Sequence, residues 1–161
     1  MYKILVSKCL YGGEIVRYDG GDVTEHDERF LKWKEEGRLV PVCPEVFGGL
    51  PIPRPDSQRI DDIHVQAQTG QDVTEEYTKG AREALRLARE ENVAFCIMKQ
   101  DSPSCGSKFI YDGTFTDTKV PGQGLAVEYL RKDGFKVFAE EDMDEAASYL
   151  AELEKSDSSA S

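Results

Sequence analysis

The amino-acid sequence predicts an α/β protein in which helices cover both faces of a mostly parallel central sheet. Two observations support this fold class. Four short apolar runs have the length and composition of buried strands, and segments with helical spacing alternate with them along the chain. The predicted architecture is a three-layer, Rossmann-like sandwich whose strands are Lys3–Ser7, Leu39–Cys43, Ala94–Met98 and Lys136–Ala139.

Four helices are predicted between and after these strands. The clearest has apolar residues at helical spacing, Tyr77 among them, and it has Asp72 or Thr74 as its N-cap. The last begins with Asp142 and Glu145 in the positions of a capping box. The predicted ranges are His26–Glu36, Thr74–Asn92, Pro121–Lys132 and Asp142–Lys155.

A small hairpin is predicted between Arg59 and Thr74, where Ile63, Val65 and Ala67 alternate with other residues before a Thr-Gly turn. The sequence shows no repeat and no sign of a second domain.

Residues 1–155 are therefore expected to form a single α/β domain. The small polar residues 156–161 are predicted to form a disordered tail.

Composition limits the partners and the surroundings of this domain. The 20 Lys and Arg residues against 31 Asp and Glu residues give a formal net charge of −11, which repels a phosphate backbone and argues against extended contact with nucleic acid. No apolar stretch approaches the ~20 residues of a membrane helix, and the first residues lack the apolar core of a signal peptide. We therefore expect a cytoplasmic protein without a membrane segment, in which four cysteines serve as thiols, metal ligands or redox groups rather than as disulfides.

Three of the cysteines follow the ends of three predicted strands. Cys9 lies just past the first strand, Cys43 ends the second, and Cys105 lies in the loop after the third. Because ligands of open α/β sheets bind outside the carboxyl ends of the strands, these thiols are expected to meet at one edge of the sheet. Cys96, in the middle of the third strand, is expected to be a core residue.

Three thiolates are compatible with more than one metal. Structural zinc usually takes four ligands with close Cys-x-x-Cys spacing, which is absent here, and neither His26 nor His64 has a ligand motif around it. A three-cysteine zinc site with one open position stays open as an alternative. An iron–sulfur cube fits better, because soft thiolates favour it, and three ligands would leave one iron without a protein ligand.

Three segments, ILVSKCLYGG with VRYDGG, LVPVCPEVFGGLPIPR and KQDSPSCGS, resemble the signature segments of the thiouracil desulfidase family. The resemblance implies a [4Fe-4S] cluster on Cys9, Cys43 and Cys105 and non-redox removal of sulfur from a thiolated pyrimidine. It also implies a catalytic carboxylate at Glu45 and a catalytic serine in the Ser-Pro-Ser-Cys segment.

Of the two serines in that segment, Ser104 is favoured over Ser102. The predicted mechanism has the substrate sulfur on the iron without a protein ligand and Glu45 activating a water. Tyr18 is predicted to stack on the pyrimidine and Arg54 to hold a substrate carbonyl or anionic group. For Tyr18 the alternative is packing under a turn, and for Arg54 it is a surface position.

The expected partner is a small thiolated nucleobase or related thioamide, bound by a monomer or small homo-oligomer. Three rival functions stay open. They are a structural zinc or cluster-bearing binding module without turnover, a hydrolase with a cysteine nucleophile at Cys105, and a sulfur-transfer enzyme that acts on transfer RNA.

Overall fold

The computed structural model describes residues 1–14 and 16–160, with side chains as far as Asp157. The strands are β1 Ile4–Ser7, β2 Leu39–Val42, β3 Ser57–Arg59, β4 Val65–Ala67, β5 Phe95–Met98, β6 Phe109–Tyr111, β7 Lys119–Pro121 and β8 Val137–Ala139. The helices are α1 Lys8–Tyr11, α2 Glu28–Glu35, α3 Pro44–Phe47, α4 Thr74–Glu90, α5 Leu125–Lys132 and α6 Met143–Ala160, with a 3₁₀ turn at Glu140–Asp142.

The central sheet has four parallel strands in the order β2-β1-β5-β8, which confirms the predicted fold class. The chain moves outward from β1 to β2 and then returns to the other side of β1 to form β5. Strand order therefore reverses between β1 and β5. At such a switch point the loops after neighbouring strands separate, and a crevice opens at the carboxyl ends of the strands.

Successive residues of β1 point to opposite faces of the sheet, as the pleat requires. Leu5 packs into the core layer that contains α4 and α5, whereas Ile4 and Val6 pack into the layer that contains Phe30 of α2 and Leu150 of α6. Both faces of the sheet are thus covered by helices. This double burial explains why the four central strands have continuous apolar sequences.

The two hairpins of the structure differ from the prediction. β3 pairs with β4 in antiparallel fashion, so the predicted small hairpin exists, but Ile63 lies in its turn and is exposed rather than in a strand. A second hairpin, β6–β7, was not predicted. Pro121 ends β7 instead of opening a helix, and α5 begins only at Leu125 after Gly124 as its N-cap.

The last helix continues beyond the predicted Lys155 and through Ala160, where the sequence analysis placed a disordered tail from residue 156. Neither glycine nor proline interrupts these residues, and the Tyr2 hydroxyl bonds both the Leu153 carbonyl and the Asp157 carboxylate. Ser161 lies outside the described residues.

Among the residues that the structure describes, no helix has the length and apolar character needed to cross a membrane.

Candidate active site

Three of the four cysteines line one pocket at the carboxyl edge of the sheet, which we call the thiol pocket. Cys9 lies in α1 directly after β1, Cys43 is the N-cap residue of α3 directly after β2, and Cys105 lies in the loop after β5. The cavity volume is about 140 Å³, close to the ~150 Å³ of a cavity that accommodates a benzene ring. Cys96 is fully buried within β5, as its sequence position predicts.

The thiols of this pocket are removed from water to different degrees, because Cys105 is buried whereas Cys9 and Cys43 are half-buried. Burial, and secondarily the neighbouring Cys43, raises the pKa of Cys9 to about 12, while the Lys99 ammonium acts in the opposite direction. Burial likewise raises the pKa of Cys43 and, further still, that of Cys105. A thiolate here therefore needs a compensating positive charge, such as a metal supplies.

The donor set fits an iron–sulfur cluster, because soft thiolates supplied by separate loops are its usual ligands. Among the described residues, no three His, Cys, Asp or Glu side chains come close enough together to hold one metal ion. Three thiols around a cavity of about 140 Å³ suit a group that is large enough to reach all of them.

Glu45 lies in the wall of the thiol pocket with a side chain only 14% exposed. Its Oε1 atom accepts hydrogen bonds from the Tyr77 hydroxyl (2.8 Å) and from Arg54 Nε (3.2 Å). Its Oε2 atom accepts from the hydroxyls of Ser104 (3.1 Å) and Ser102 (3.3 Å). Glu45 is therefore an anchored carboxylate in a polar pocket wall and not a solvated loop residue.

Ser102 and Ser104 lie between Glu45 and Cys105. Ser102 Oγ accepts hydrogen bonds from the backbone N–H groups of Ser104 and Cys105, and both N···O distances are 3.1 Å. Ser104 Oγ lies 2.9 Å from Ser102 Oγ and 3.4 Å from Cys105 Sγ. The pair thus connects the carboxylate to the loop that carries the third thiol.

The structure places Arg54 in the pocket wall rather than on the surface, with its side chain 4% exposed. Its Nε donates to Glu45, and its two terminal nitrogens donate to the carbonyl oxygens of Pro51 (3.0 Å) and Val16 (2.9 Å). All three nitrogens therefore have protein acceptors. Tyr18 lines the same pocket half-buried, with the Arg17 guanidinium 5.2 Å from its ring centroid.

Two functional candidates escaped the sequence analysis. Tyr77 was assigned only to the apolar face of α4, although a buried phenol signals a need for a hydrogen-bond partner. Gln100 is not among the predicted site residues. Its Oε1 atom accepts from the backbone N–H groups of Ser107 (3.2 Å), Lys108 (3.1 Å) and Phe109 (3.1 Å), which closes the loop around Cys105.

The fold and the pocket define the class of protein: an α/β enzyme that combines three thiols with an anchored carboxylate at the switch point of a parallel sheet. The sequence model of the 2-thiouracil desulfurase family matches residues 4–142. The chain belongs to that family.

Two relatives are similar over almost their whole length. The uncharacterized protein YbbK of Bacillus subtilis is 38% identical over 151 residues, which are 88% of this chain and 98% of the relative. A solved structure, the [4Fe-4S]-dependent thiouracil desulfidase TudS, superposes with a TM-score of 0.90 at 41% identity. That superposition covers 94% of this chain and 99% of the other.

Proposed function

We propose that this protein is a [4Fe-4S]-dependent desulfidase that converts a thiolated pyrimidine and water to the oxo-pyrimidine and hydrosulfide. The observation that carries the proposal is the meeting of Cys9, Cys43 and Cys105 with Glu45 in one pocket at the carboxyl edge of the sheet. Membership of the 2-thiouracil desulfurase family and the similarity to TudS support the same reaction.

In this proposal Cys9, Cys43 and Cys105 hold the cluster, and Cys96 does not. Bound in this way, the cluster supplies a Lewis-acidic iron without a protein ligand, to which a thiocarbonyl sulfur has affinity. The start of α3 also favours the thiolate form of Cys43. Burial raises the pKa of this thiol, but the backbone N–H groups of Val46 and Glu45 lower it.

The chain's own groups supply the proton chemistry. Glu45 accepts one proton from the water that attacks the thiocarbonyl carbon, and a C–O bond forms. The C–S bond then breaks, and the second water proton leaves on sulfur as hydrosulfide. Ser104 lies 3.1 Å from Glu45 Oε2 and donates a hydrogen bond within the same pocket. Tyr18 offers a ring face in the pocket wall to a planar base. No electron is transferred in this scheme, because water provides the oxygen and sulfur leaves as hydrosulfide.

The experiment that tests the function is anaerobic. The protein is purified without oxygen, its iron and sulfide are measured, and thiouracil is added while its near-ultraviolet absorbance is followed. We expect about four irons per chain and stoichiometric formation of uracil and sulfide. A cluster-bearing protein that leaves thiouracil unchanged would support a binding module instead, and a protein that takes up no cluster on reconstitution would contradict the whole proposal.

A matched set of cysteine variants tests the ligand assignment. Cys9→Ser, Cys43→Ser and Cys105→Ser should each lose the visible absorbance of the cluster, because a buried hydroxyl replaces a thiolate ligand. Cys96→Ala is the control from the same sheet and should keep both cluster and turnover. A Cys96→Ala protein without cluster would show that the assignment is wrong.

A further inference from the structure

We propose that Tyr77 and Arg54 are positioning residues that hold the Glu45 carboxylate by one of its two oxygens. The inference rests on the function proposed above, in which Glu45 receives a proton from water. Both residues donate to Oε1, whereas Oε2 accepts from Ser104 and Ser102. Tyr77 and Arg54 thus hold one oxygen, and the other accepts from the serines of the loop that carries Cys105.

Glu45 needs such support because its own element is small. α3 spans one turn, Pro44–Phe47, and begins immediately after the N-cap residue Cys43. A glutamate side chain has three rotatable bonds, and ordering it costs rotamer entropy that one helical turn does not offset. Hydrogen bonds from residues outside α3 therefore determine where the carboxylate lies.

α4 provides a rigid platform for one of these bonds. Tyr77 belongs to this 17-residue helix and is 1% exposed. Two close backbone contacts hold α3 against α4 on either side of it. A Cβ atom at Gly80 would overlap the carbonyl oxygen of Pro44, and one at Gly48 would overlap that of Glu76. Only glycine permits this approach, which brings the Tyr77 hydroxyl within 2.8 Å of Glu45.

Tyr77 positions the carboxylate and does not itself transfer a proton. Burial raises its pKa well above the ordinary value for a phenol, and the nearby Glu45 charge acts in the same direction. The hydroxyl therefore keeps its proton and donates to Glu45.

Arg54 donates to the same oxygen from a different segment of the chain. Its terminal nitrogens donate to the carbonyl oxygens of Pro51 and Val16. Its backbone N–H donates to the Tyr18 carbonyl oxygen at a distance of 2.8 Å. The guanidinium thus ties Glu45 to the segment that carries Tyr18. A lysine at this position would retain the charge but could not provide the same fork of donors.

Tyr77→Phe tests the proposal because it removes only the hydroxyl. We expect kcat for thiouracil to fall by about ten- to a hundredfold, the range for a lost hydrogen bond to a charged group, while KM and iron content stay near the wild-type values. Tyr149→Phe is the matched control, since its ring packs against Phe95 and Phe138 on the other core layer and should leave kcat unchanged. A purely structural role for Tyr77 would lower the thermal midpoint without this selective loss of kcat.

Two further readouts separate this proposal from the proposed function. In a Glu45→Gln background Tyr77→Phe should cause little further loss, because both changes act through one carboxylate. A crystal structure of Tyr77→Phe should show Glu45 in more than one rotamer, against a single rotamer in the wild type. An inactive wild type would overturn the function but leave this structural comparison decisive. An unmoved Glu45, or wild-type kcat in an active enzyme, would overturn the positioning role.

Discussion

At the scale of single residues, Ser102 and Ser104 have the same chemistry but different surroundings. Ser102 Oγ already accepts from two backbone N–H groups, those of Ser104 and Cys105, which occupy both of its lone pairs. Its proton is therefore donated, and both Ser104 Oγ at 2.9 Å and Glu45 Oε2 at 3.3 Å lie within reach of it. Ser104 in turn can donate its own proton to Glu45 Oε2.

This difference predicts distinct phenotypes for the two alanine variants. Ser104→Ala should keep the cluster and lower kcat, because Glu45 loses a donor while the turn is intact. Ser102→Ala should also lower cluster content, because two N–H groups beside Cys105 lose their acceptor, at a cost of about 1–3 kcal/mol each. Iron content and kcat measured on both variants check the prediction. Wild-type turnover in Ser104→Ala, or full cluster retention with normal stability in Ser102→Ala, would contradict it.

The sequence predicted the positions of site residues that depend on strand ends, but not of those that depend on tertiary contacts. Strand ends are visible in the sequence, so the placement of Cys9, Cys43 and Cys105 at one edge could be anticipated, and the structure brings them to one pocket. The buried hydrogen bonds of the Arg54 guanidinium could not be predicted, because one of its acceptors is the carbonyl oxygen of Val16, a residue distant in sequence. The role of Tyr77 could not be predicted for a similar reason. Helical spacing of apolar residues shows that its ring is buried, but not which group its hydroxyl will contact.

At the scale of elements, the contact between α3 and α4 governs the position of Glu45. Glycine in a helix interior normally destabilises by about 1 kcal/mol relative to alanine. Gly80 lies in the interior of α4 all the same, and a Cβ there would overlap the carbonyl oxygen of Pro44. The close approach of α3 therefore outweighs the intrinsic preference of the helix for alanine.

Glycine-to-alanine substitutions inside a helix usually stabilise a protein, but Gly80→Ala should destabilise this one. We expect a loss of about 1–3 kcal/mol in the free energy of unfolding, the cost of overpacking, together with a lower kcat as α3 and Glu45 are displaced. Urea denaturation and thiouracil turnover provide the measurements. The control is Arg82→Ala, an exposed position on the same helix. A Gly80→Ala protein more stable than wild type would show that α3 moves away at no cost.

The elements that the sequence predicted incorrectly are those without a strong period. β6 and β7 are three residues each and partly exposed, so neither has the apolar run that identified the central strands. Pro121 was interpreted as a helix start because proline favours the first turn, yet proline is equally tolerated in an edge strand. The hairpin pairing that decides between these two interpretations involves Ile110 and Val120, which are ten residues apart.

At the scale of the whole molecule, the thiol pocket joins parts of the chain that are distant in sequence. Cys9, Cys43 and Cys105 follow β1, β2 and β5, the three adjacent strands on the β2 side of the sheet. A cluster on these residues would cross-link three loops, two of which are already connected by the hydrogen bonds of Ser102 and Ser104 to Glu45. Since a cluster of this kind binds the native chain and has no preformed site in the unfolded one, it should add its binding free energy to stability.

Removal of the cluster by an anaerobic chelator should therefore lower the thermal midpoint by several degrees, at about 2–4 °C per kcal/mol for a chain of this size. Hydrogen exchange should increase in α1, in α3 and in the loop after β5, while β5 and α4 remain protected because their amides lie in the core. Cys105→Ser, which lacks one ligand, should not respond to the chelator. Equal midpoints and equal exchange with and without cluster would mean that the three loops hold their positions unaided, and the pocket would then be a preorganised receptor for the cluster instead of a structure completed by it.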